Sequence, residues 1–521
     1  MKSVSRSRWM LNNAALVAAI LFGGAAQAQA PLSAIDWLAT RAEEPTALTA
    51  APRPLIEEPP VSLGALPPQV QVETLGAPSR DAVGLLPPKV TGLPADLWRN
   101  SAAAQLEARI EQLDVTHNPP LNSLLINLLL AEAEPPTASG GGDAFLLARV
   151  DKLMALGAVD PAAALLDQAG HATPARFAAW FETALLTDTV DPACAALGQA
   201  PHLTTDLGVR IYCLARNNDW STALTLLQTG RALGAIDDRM DGLLVRFLDP
   251  EMAEDLPDLP PPAAPTALDF RLYEAVGERL ATGTLPRRFA VTDLGGDSGW
   301  KAQLDAAERL ALSGAVSANT LLGVYSARSP AASGGVWDRV DAVQRLDTAL
   351  AAGDPPAIAS ALERAWPQML ERGLIAPLAD LYGARLIGLP LTGASRNIAA
   401  SLALLSEDYE RAAAALPSDM PGRALLAAIA TGSQPDRRPR NEMYLAVVDG
   451  FGPIALPERL RPLLEGGRLG ETILRTMSLF ETGAQGNPDD LTAALQGMRA
   501  LGLEDTARRA ALHLLLIELP A

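Results

Sequence analysis

The chain has 521 residues, enough for a large buried core, and 49% of them are hydrophobic although only 4% are aromatic. Because such a core must be built from Ala and Leu, which are strong helix formers, the composition indicates an all-α protein. The formal net charge of −18, from 60 acidic and 42 basic residues, repels nucleic acid and anionic lipid, so we exclude both as partners.

A targeting signal is predicted at residues 1–30. Lys2, Arg6 and Arg8 precede the apolar run 14–22, and two Ala-x-Ala sites follow at 26–30. The apolar run is shorter than the roughly 20 residues that cross a bilayer, so a cleaved signal peptide is favoured over a membrane anchor. No later apolar stretch is long enough to span a membrane. We therefore predict an exported periplasmic protein with no membrane span after cleavage.

Residues 31–96 hold 12 prolines in 66 positions. Proline lacks the backbone donor and blocks helix interiors, so this segment is expected to be a disordered or polyproline-like linker outside the helical array. The functional alternative is a docking peptide for a partner with an aromatic groove.

Helical periodicity begins near Leu97 and continues to Leu519. We predict an N-terminal helical block over 97–250, a Pro/Gly-rich connection with one short helix over 251–299, and a C-terminal helical block over 300–521. Within the connection, residues 289–293 are expected to be a short extended segment. The predicted helices include 101–113, 121–130, 145–156, 160–169, 303–312, 318–327, 337–351 and 356–372.

Four Asp-Pro or Asn-Pro pairs share one predicted role at helix starts. The Asp or Asn side chain is expected to cap the backbone amides, and Pro to occupy the first helical position, where no amide hydrogen is needed. The pairs are at 160–161, 191–192, 354–355 and 487–488.

Two motifs recur along the chain. The segment 156–160 (LGAVD) returns at 233–237 (LGAID), 77 residues on, and the pattern D-[WY]-x-x-A-x-x-x-L at 219–227 returns at 408–416, 189 residues on. These offsets lie near multiples of roughly 38 residues, about the length of a two-helix repeat. The second pattern resembles a helix of a tetratricopeptide-like repeat, although the Trp-x-x-Leu-Gly-x-x-Tyr half is absent. The resemblance implies an α-solenoid of antiparallel helix pairs, which is the predicted fold.

The only two cysteines, Cys194 and Cys213, lie in the segment 191–237, which is typical of three short helices joined by turns. In an oxidising compartment, two cysteines on neighbouring helices predict a disulfide. A loop of this size would stabilise the fold by about 3 kcal/mol. Free buried thiols and a redox pair are the alternatives, although the Cys-x-x-Cys spacing of a redox pair is absent.

One enzyme-like pattern is present. Residues 298–301 (SGWK) fit the Ser-x-x-Lys pattern of penicillin-binding proteins and serine β-lactamases, and 317–319 (SAN) resembles their second motif. The Lys-Thr-Gly element and its strands are missing, and the chain has only four lysines. We therefore interpret Ser298 as a helix cap and Lys301 as a solvated side chain.

Neither the histidines nor the tryptophans cluster in the sequence, so we predict no catalytic, cofactor or metal site. The histidines, expected to be single surface or capping residues, are His117, His171, His202 and His513. Five tryptophans are chemically able to stack on sugars but are spaced like core residues: Trp180, Trp220, Trp300, Trp337 and Trp366.

In its composition and its Cys194/Cys213 helix pair, the chain resembles exported bacterial helical proteins labelled "antifreeze glycopeptide polyprotein". The resemblance extends over most of residues 97–520. The label implies ice binding, but the chain has neither an Ala-Ala-Thr glycopeptide repeat nor a flat face of regularly spaced threonines. We do not transfer that activity.

We expect a non-enzymatic periplasmic scaffold or adaptor that uses no cofactor and binds an envelope protein or peptidoglycan through its helical-repeat surface. The alternative is a protein that acts on or binds the cell wall, since soluble lytic transglycosylases also carry a large Ala/Leu-rich superhelix. Their catalytic Glu is followed by Ser, and no Glu-Ser dipeptide occurs in this chain.

Overall fold

Ala- and Leu-rich segments with apolar residues three and four positions apart form helices throughout the described chain. The computed structural model describes residues 80–519 except 138–142, 254–256, 258, 296 and 436–438. Besides helices and turns, these residues contain two isolated β-bridges, Leu86–Ala131 and Ala102–Thr137, and no strand. The all-α prediction is confirmed. The signal peptide predicted at 1–30 and most of the linker predicted at 31–96 lie outside the described residues.

The first group of helices covers the described chain up to residue 275. It comprises α1 Pro88–Thr91, α2 Ala103–Gln112, α3 Pro119–Leu130, α4 Ala144–Leu156, α5 Val159–Ala169, α6 Pro174–Leu186, α7 Asp191–Gln199, α8 Leu207–Arg216, α9 Trp220–Ala232, α10 Asp238–Leu248, α11 Pro250–Ala253 and α12 Ala267–Ala275.

The second group begins at residue 300. It comprises α13 Trp300–Ala311, α14 Ala318–Ser326, α15 Val336–Ala352, α16 Pro355–Arg372, α17 Ile375–Leu386, α18 Gly393–Leu405, α19 Tyr409–Ala414, α20 Arg423–Thr431, α21 Glu442–Gly450, α22 Arg461–Glu465, α23 Leu469–Ala484, α24 Pro488–Ala500 and α25 Glu504–His513. Short 3-10 helices lie at Arg80–Ala82, Pro201–Leu203, Thr282–Thr284 and Arg287–Asp293, and a π-helical turn, Leu514–Glu518, follows α25.

Consecutive helices pack as pairs across short turns, including α4 with α5, α8 with α9, α15 with α16, and α23 with α24. Both copies of the recurring aromatic motif begin a helix, although Leu227 lies inside α9 and Leu416 lies beyond the end of α19. Asp219 and Asp408 are the N-cap residues of α9 and α19, and Ala223 and Ala412 are buried. The small Ala side chain allows a neighbouring helix to approach closely. The repeat type itself stays a prediction.

The four Asp-Pro and Asn-Pro pairs do not share one role. Asn487 accepts a hydrogen bond from a first-turn amide of α24, as predicted. Asp354 is the N-cap of α16, but its side chain makes no capping hydrogen bond with the described residues. Asp160 and Asp191 lie inside the first turns of α5 and α7, one or two residues beyond the cap. Carboxylates in a first turn still face the positive end of the helix dipole, which accounts for their placement.

The extended segment predicted at 289–293 is wrong, because these residues belong to the 3-10 helix Arg287–Asp293. Phe289 and Ala290 are consecutive and both fully buried, whereas a strand would point them to opposite faces. The described chain offers no strand to pair with, so the backbone amides of this segment bond within a helical turn.

The two ends of the described chain share one core. Helix α3 packs against α25, and α2 packs against α23. Most buried apolar residues from 93–289 and 403–515 form one continuous cluster, and most of those from 300–402 form a second. At Gly470, a Cβ atom would lie 2.3 Å from the ring of Trp98, so only glycine permits this contact.

A buried arginine attaches the segment before α1 to the helices. The Arg149 side chain is fully buried, and its guanidinium donates to the carbonyl oxygens of Leu129 at 2.7 Å, Val83 at 2.8 Å and Ala131 at 3.3 Å. Burial lowers the pKa of Arg149 to about 10. Ordered structure therefore begins before Leu97, and α3 is held from its C-terminal end.

Candidate functional site

A polar cleft, named the junction cleft here, lies where α3, the α13–α14 turn, the α16–α17 turn and the end of α25 meet. Its volume is about 430 Å³, within the roughly 300–1,000 Å³ range of small-molecule sites. It is lined by Thr116, His117, Pro119, Asn122, Ser123, Ala311, Leu312, Gly314, Val316, Ser317, Ala318, Gly373, Ile375, Ala376, Pro377, Asp380, His513, Ile517 and Glu518.

Asn122 is a buried amide in the wall of the junction cleft. Its side chain is 2% exposed, and its Nδ2 donates to the carbonyl oxygen of Ser313 at 2.6 Å. The Ser313 hydroxyl in turn donates to the carbonyl oxygen of Leu156 at 2.6 Å. The Oδ1 atom of Asn122 has no hydrogen-bond partner among the described residues. An unsatisfied buried acceptor costs about 1–3 kcal/mol, so Asn122 is an unusual residue in this apolar helix.

A second group of polar atoms joins the start of α3 to the end of the chain. Asn118 Nδ2 donates to the carbonyl oxygen of Ala510 at 3.2 Å and to Glu518 Oε1 at 3.3 Å. The same Glu518 oxygen lies 3.0 Å from His513 Nδ1. The Oδ1 atom of Asn118 also lacks a partner among the described residues. Asn118 and Asn122 are four residues apart, so both amides are on the same side of α3.

Asp380 on α17 supplies a further carboxylate to the junction cleft. It makes no hydrogen bond or ion pair with the described residues, and its side chain is exposed to the cleft. Burial by the surrounding walls raises the pKa of Asp380, the charge of Arg509 acts in the opposite direction, and that of Glu407 raises it further. An exposed carboxylate with a raised pKa is typical of an enclosed cleft, where solvent reaches the group but hydrates it poorly.

A smaller cleft of about 260 Å³ adjoins the junction cleft and shares His117 and Glu518 with it. Burial raises the pKa of Glu481 in its wall. For Asp114, burial acts upward, but hydrogen bonds from the Thr116 hydroxyl and amide prevail and lower the pKa. The residues lining the two clefts include four carboxylates and no lysine or arginine. The combined site is therefore rich in hydrogen-bond acceptors and negative charge.

The second candidate region surrounds the disulfide. Cys194 on α7 and Cys213 on α8 are bonded, with an S–S distance of 2.02 Å and a Cα–Cα distance of 4.9 Å, so the predicted disulfide is confirmed. A groove of about 250 Å³ lies beside it between α7, α8 and α9. Its apolar walls include Leu197, Pro201, Leu214 and Leu226.

Helix α9 presents apolar side chains to solvent next to this groove. Trp220 is 46% exposed, Leu224 is 37% exposed, and Leu233 at the helix end is 76% exposed. These three residues, named the α9 surface here, are half of the exposed large hydrophobic residues in the described chain. The adjoining strip of α9 is anchored by the buried residues Ala223 and Leu227. The helix is thus held in place while part of its apolar surface stays uncovered.

Trp220 ends a run of aromatic rings that passes through α6, α8 and α10. The centroids of the stacked rings of His171 and Trp180 are 3.7 Å apart. The other neighbouring centroids are 5.7 to 6.3 Å apart, within the range of roughly 4.5–7 Å for favourable aromatic pairs. The rings, in order, are His171, Trp180, Phe177, Phe181, Tyr212, Phe247 and Trp220. Within the α9 surface, Trp220 is the residue that packs against this run, through Phe247.

The structure does not bring the residues of the Ser-x-x-Lys pattern together. Ser298 is buried, accepts a hydrogen bond from Arg279 at 2.7 Å and donates to Asp293 at 3.1 Å. Lys301 forms an ion pair with Asp305 on the surface of α13. The expected helix cap at Ser298 is also wrong, because the N-cap of α13 is Gly299.

The histidines are dispersed except for His117 and His513, which both line the junction cleft. His171 stacks on Trp180, and His202 is exposed. No group of three or more His, Cys, Asp or Glu side chains in the described residues is arranged to hold a metal ion.

Most of the tryptophans interpreted as core are buried or partly buried. Trp180 and Trp300 are 9% and 8% exposed, and the Trp300 ring lies 5.2 Å from that of Trp337. Trp366 is partly buried in α16. Trp220 is the exception, and its exposure contradicts the core interpretation.

Sequence reasoning missed the junction cleft because its polar residues come from widely separated segments. Asn122, Asp380 and Glu518 share no local motif, and their proximity depends on the packing of α3 against α25. One signal was available: Asn122 interrupts the almost wholly apolar run 121–130. A polar residue in a buried helix calls for a partner, and this one lies beside a cleft.

In the part of the chain that the structure describes, no helix has both the length and the apolar character needed to cross a membrane. Comparison of the chain with protein-family models, with curated proteins and with solved structures gives no significant match.

Proposed function

We propose that this chain is a non-enzymatic scaffold or adaptor of the bacterial periplasm that binds an envelope protein through the α9 surface. The observation that carries this proposal is the exposure of Trp220, Leu224 and Leu233 on one helix. Trp220 and Leu224 are four residues apart and share one face of α9, and Leu233 is exposed at the end of the helix. Exposed apolar side chains close together are characteristic of protein interaction sites, and Trp is enriched among the residues that dominate binding energy.

The rigidity of the supporting structure favours the same role. The disulfide between Cys194 and Cys213 joins α7 to α8, which packs directly against α9. Trp220 lies 6.0 Å from Phe247, which stacks on the buried Tyr212. A preorganised surface loses little conformational entropy when a partner binds. The location rests on the predicted signal peptide at 1–30 and agrees with a disulfide-bonded fold.

Site-specific photo-crosslinking tests this proposal. A photoreactive amino acid at position 224 of the exported protein would identify the partner in intact cells, and the purified partner would then be titrated against purified protein. We expect the double variant Trp220→Ala/Leu224→Ser to weaken this binding by at least about tenfold. The matched control is Ile454→Ser, which removes a 62% exposed apolar side chain far along the chain.

Equal affinity of the purified partner for both variants and for the unmodified protein would refute the proposal. Co-sedimentation with peptidoglycan sacculi supplies the other decisive outcome. Release of soluble muropeptides by the protein would overturn the non-enzymatic scaffold and support the cell-wall-acting alternative. Thermal unfolding of each variant must match that of the unmodified protein, so that lost binding is not lost folding.

A further inference from the structure

The junction cleft carries a second inference that does not depend on the α9 surface. Its walls present more hydrogen-bond acceptors than the protein itself satisfies. Asn122 is 2% exposed and lines the cleft, yet its Oδ1 accepts no hydrogen bond from the described residues. Asn118, one helical turn earlier, is 4% exposed and lines the smaller adjoining cleft, and its Oδ1 also lacks a partner among the described residues. A buried acceptor of this kind takes its hydrogen bond from a donor outside the chain, which is either a water molecule or a bound ligand.

The charges around the cleft specify what kind of donor fits. Asp380 and Glu518 contribute carboxylates, and no lysine or arginine lines the cleft among the described residues. The groups that act on Asp380 are the positive charge of Arg509 and the negative charge of Glu407. Glu518 accepts a hydrogen bond from the side-chain amide of Asn118 and lies 3.0 Å from His513 Nδ1. Two carboxylates in the wall would repel an anionic ligand, whereas a cationic donor would be attracted to both.

The dimensions and chemistry of the cleft distinguish an organic cation from a metal ion. The described residues hold no group of three metal-ligating side chains, and the volume of about 430 Å³ greatly exceeds what one ion occupies. Apolar walls from Ile375, Pro377 and Ile517 would contact a carbon skeleton. We propose that the junction cleft binds a small organic ammonium compound, whose ammonium group is held by Asp380 and Glu518 and which donates a hydrogen bond to Asn122.

Titration calorimetry with defined probes tests the proposal on the full mature protein. Glucosamine and glucose form a matched pair, because they share the sugar ring and differ in the ammonium group. Spermidine represents amines without a ring, so the two ammonium probes distinguish an amino sugar from a polyamine. Because the chain has a net charge of −18, the titrations are done in about 0.3 M salt to screen non-specific attraction.

We expect saturable binding of one ammonium probe at a single site, with no measurable binding of glucose. Asp380→Asn and Glu518→Gln should each weaken it by about tenfold, because each removes one charge-assisted contact. The control is Glu363→Gln, which removes the same charge from an exposed position of α16. Trp220→Ala/Leu224→Ser should leave it unchanged, which separates this site from the proposed scaffold surface.

Three results would overturn the proposal. The first is absence of saturable binding of both ammonium probes up to about 10 mM, since specific sites bind more tightly than this. The second is equal binding of glucosamine and glucose. The third is equal ligand affinity of Asp380→Asn, Glu518→Gln and the control Glu363→Gln, since the ligand would then be held elsewhere.

Discussion

Asn118 Nδ2 donates a hydrogen bond to the backbone carbonyl oxygen of Ala510 at 3.2 Å, across a sequence separation of 392 residues. This bond joins the N-cap of α3 to the last turns of α25, which pack against each other. Helices from the two ends of the described array therefore support each other, and both contribute walls to the junction cleft. The integrity of the cleft depends on this contact.

Asn118→Ala should therefore destabilise the protein and loosen α25. The substitution removes the hydrogen bonds to Ala510 and Glu518 and leaves their acceptors without this donor. We expect the free energy of unfolding to fall by about 1–2 kcal/mol. Hydrogen exchange should show faster exchange of α25 amides, while the exposed control Asn319→Ala should leave them protected. Unchanged protection of α25 in Asn118→Ala would contradict this role.

Reduction of the disulfide should lower stability without changing the helical content. The bond between Cys194 and Cys213 closes a loop with a sequence separation of 19 residues. Such a cross-link restricts the unfolded chain and stabilises the fold by about 3 kcal/mol. Denaturant unfolding with and without a thiol reductant measures this difference.

The double variant Cys194→Ala/Cys213→Ala provides the control for that experiment. The denaturant concentration at the midpoint of its unfolding should be lower than that of the oxidised unmodified protein and should not depend on reductant. The midpoint of the unmodified protein should fall to a similar concentration on reduction. Identical midpoints for oxidised and reduced protein would show that the cross-link does not support α7 and α8.

A single buried carboxylate, Glu308 on α13, joins four consecutive helices. It is fully buried and accepts hydrogen bonds from the Tyr325 hydroxyl at 2.8 Å, from Arg339 at 2.7 Å and from Arg372 at 3.0 Å. These partners lie on α14, α15 and α16 respectively. Burial, the negative charge of Glu308 and the hydrogen bond to it together raise the pKa of Tyr325 well above its usual value.

Glu308→Gln should be strongly destabilising, because it leaves the mostly buried Arg339 without its anion. Removing one partner of a buried ion pair typically costs about 3–5 kcal/mol. Chemical denaturation measures the change, with Asp341→Asn as the control on α15. Asp341 forms an exposed pair with Arg345, so its loss should change stability little. Equal effects of the two substitutions would show that the Glu308 cluster is not a structural centre.

The sequence predicted the parts of this fold that local chemistry determines. Apolar periodicity located α4 at Ala144–Leu156 and α16 at Pro355–Arg372 within one or two residues. The positions of Cys194 and Cys213 on neighbouring predicted helices indicated the disulfide. In each case the decisive interactions lie within a few turns of helix, so a short stretch of sequence contains the information.

Features that depend on distant segments were not predictable in this way. The contact between Asn118 and Ala510 and the four-helix cluster at Glu308 require knowledge of which helices pack together. The exposure of Trp220 is the same kind of failure, because a tryptophan at core spacing is buried only if another element covers it. Apolar periodicity in the sequence identifies the apolar face of a helix, but it does not show whether another helix covers that face.

Asp380→Asn should raise the stability of the protein at neutral pH. The folded protein raises the pKa of Asp380 above its ordinary value of 3.8, mainly through burial. The charged form is therefore less favourable in the folded than in the unfolded state. Protonated Asp380 therefore favours the folded state. Its contribution to the free energy of unfolding is fully present below the pKa of Asp380 in the unfolded chain, and it is lost as the pH rises through the pKa of Asp380 in the folded protein.

Because asparagine mimics the protonated acid, the variant should unfold at a higher temperature than the unmodified protein at pH 7, and the difference should disappear in acid below pH 3.8. Glu363→Gln, which removes a charge from an exposed position, controls for the change in net charge. An ammonium ligand in the junction cleft would favour the Asp380 carboxylate, so saturation with the ligand should stabilise the unmodified protein more than Asp380→Asn. If Asp380→Asn is less stable than the unmodified protein at pH 7 without ligand, then Asp380 has a stabilising partner in the fold. That result would contradict the assignment of Asp380 to ligand binding. A charged Asp380 that lowers the stability of the ligand-free protein is consistent with a binding site, since residues that bind a ligand often reduce the stability of the free protein.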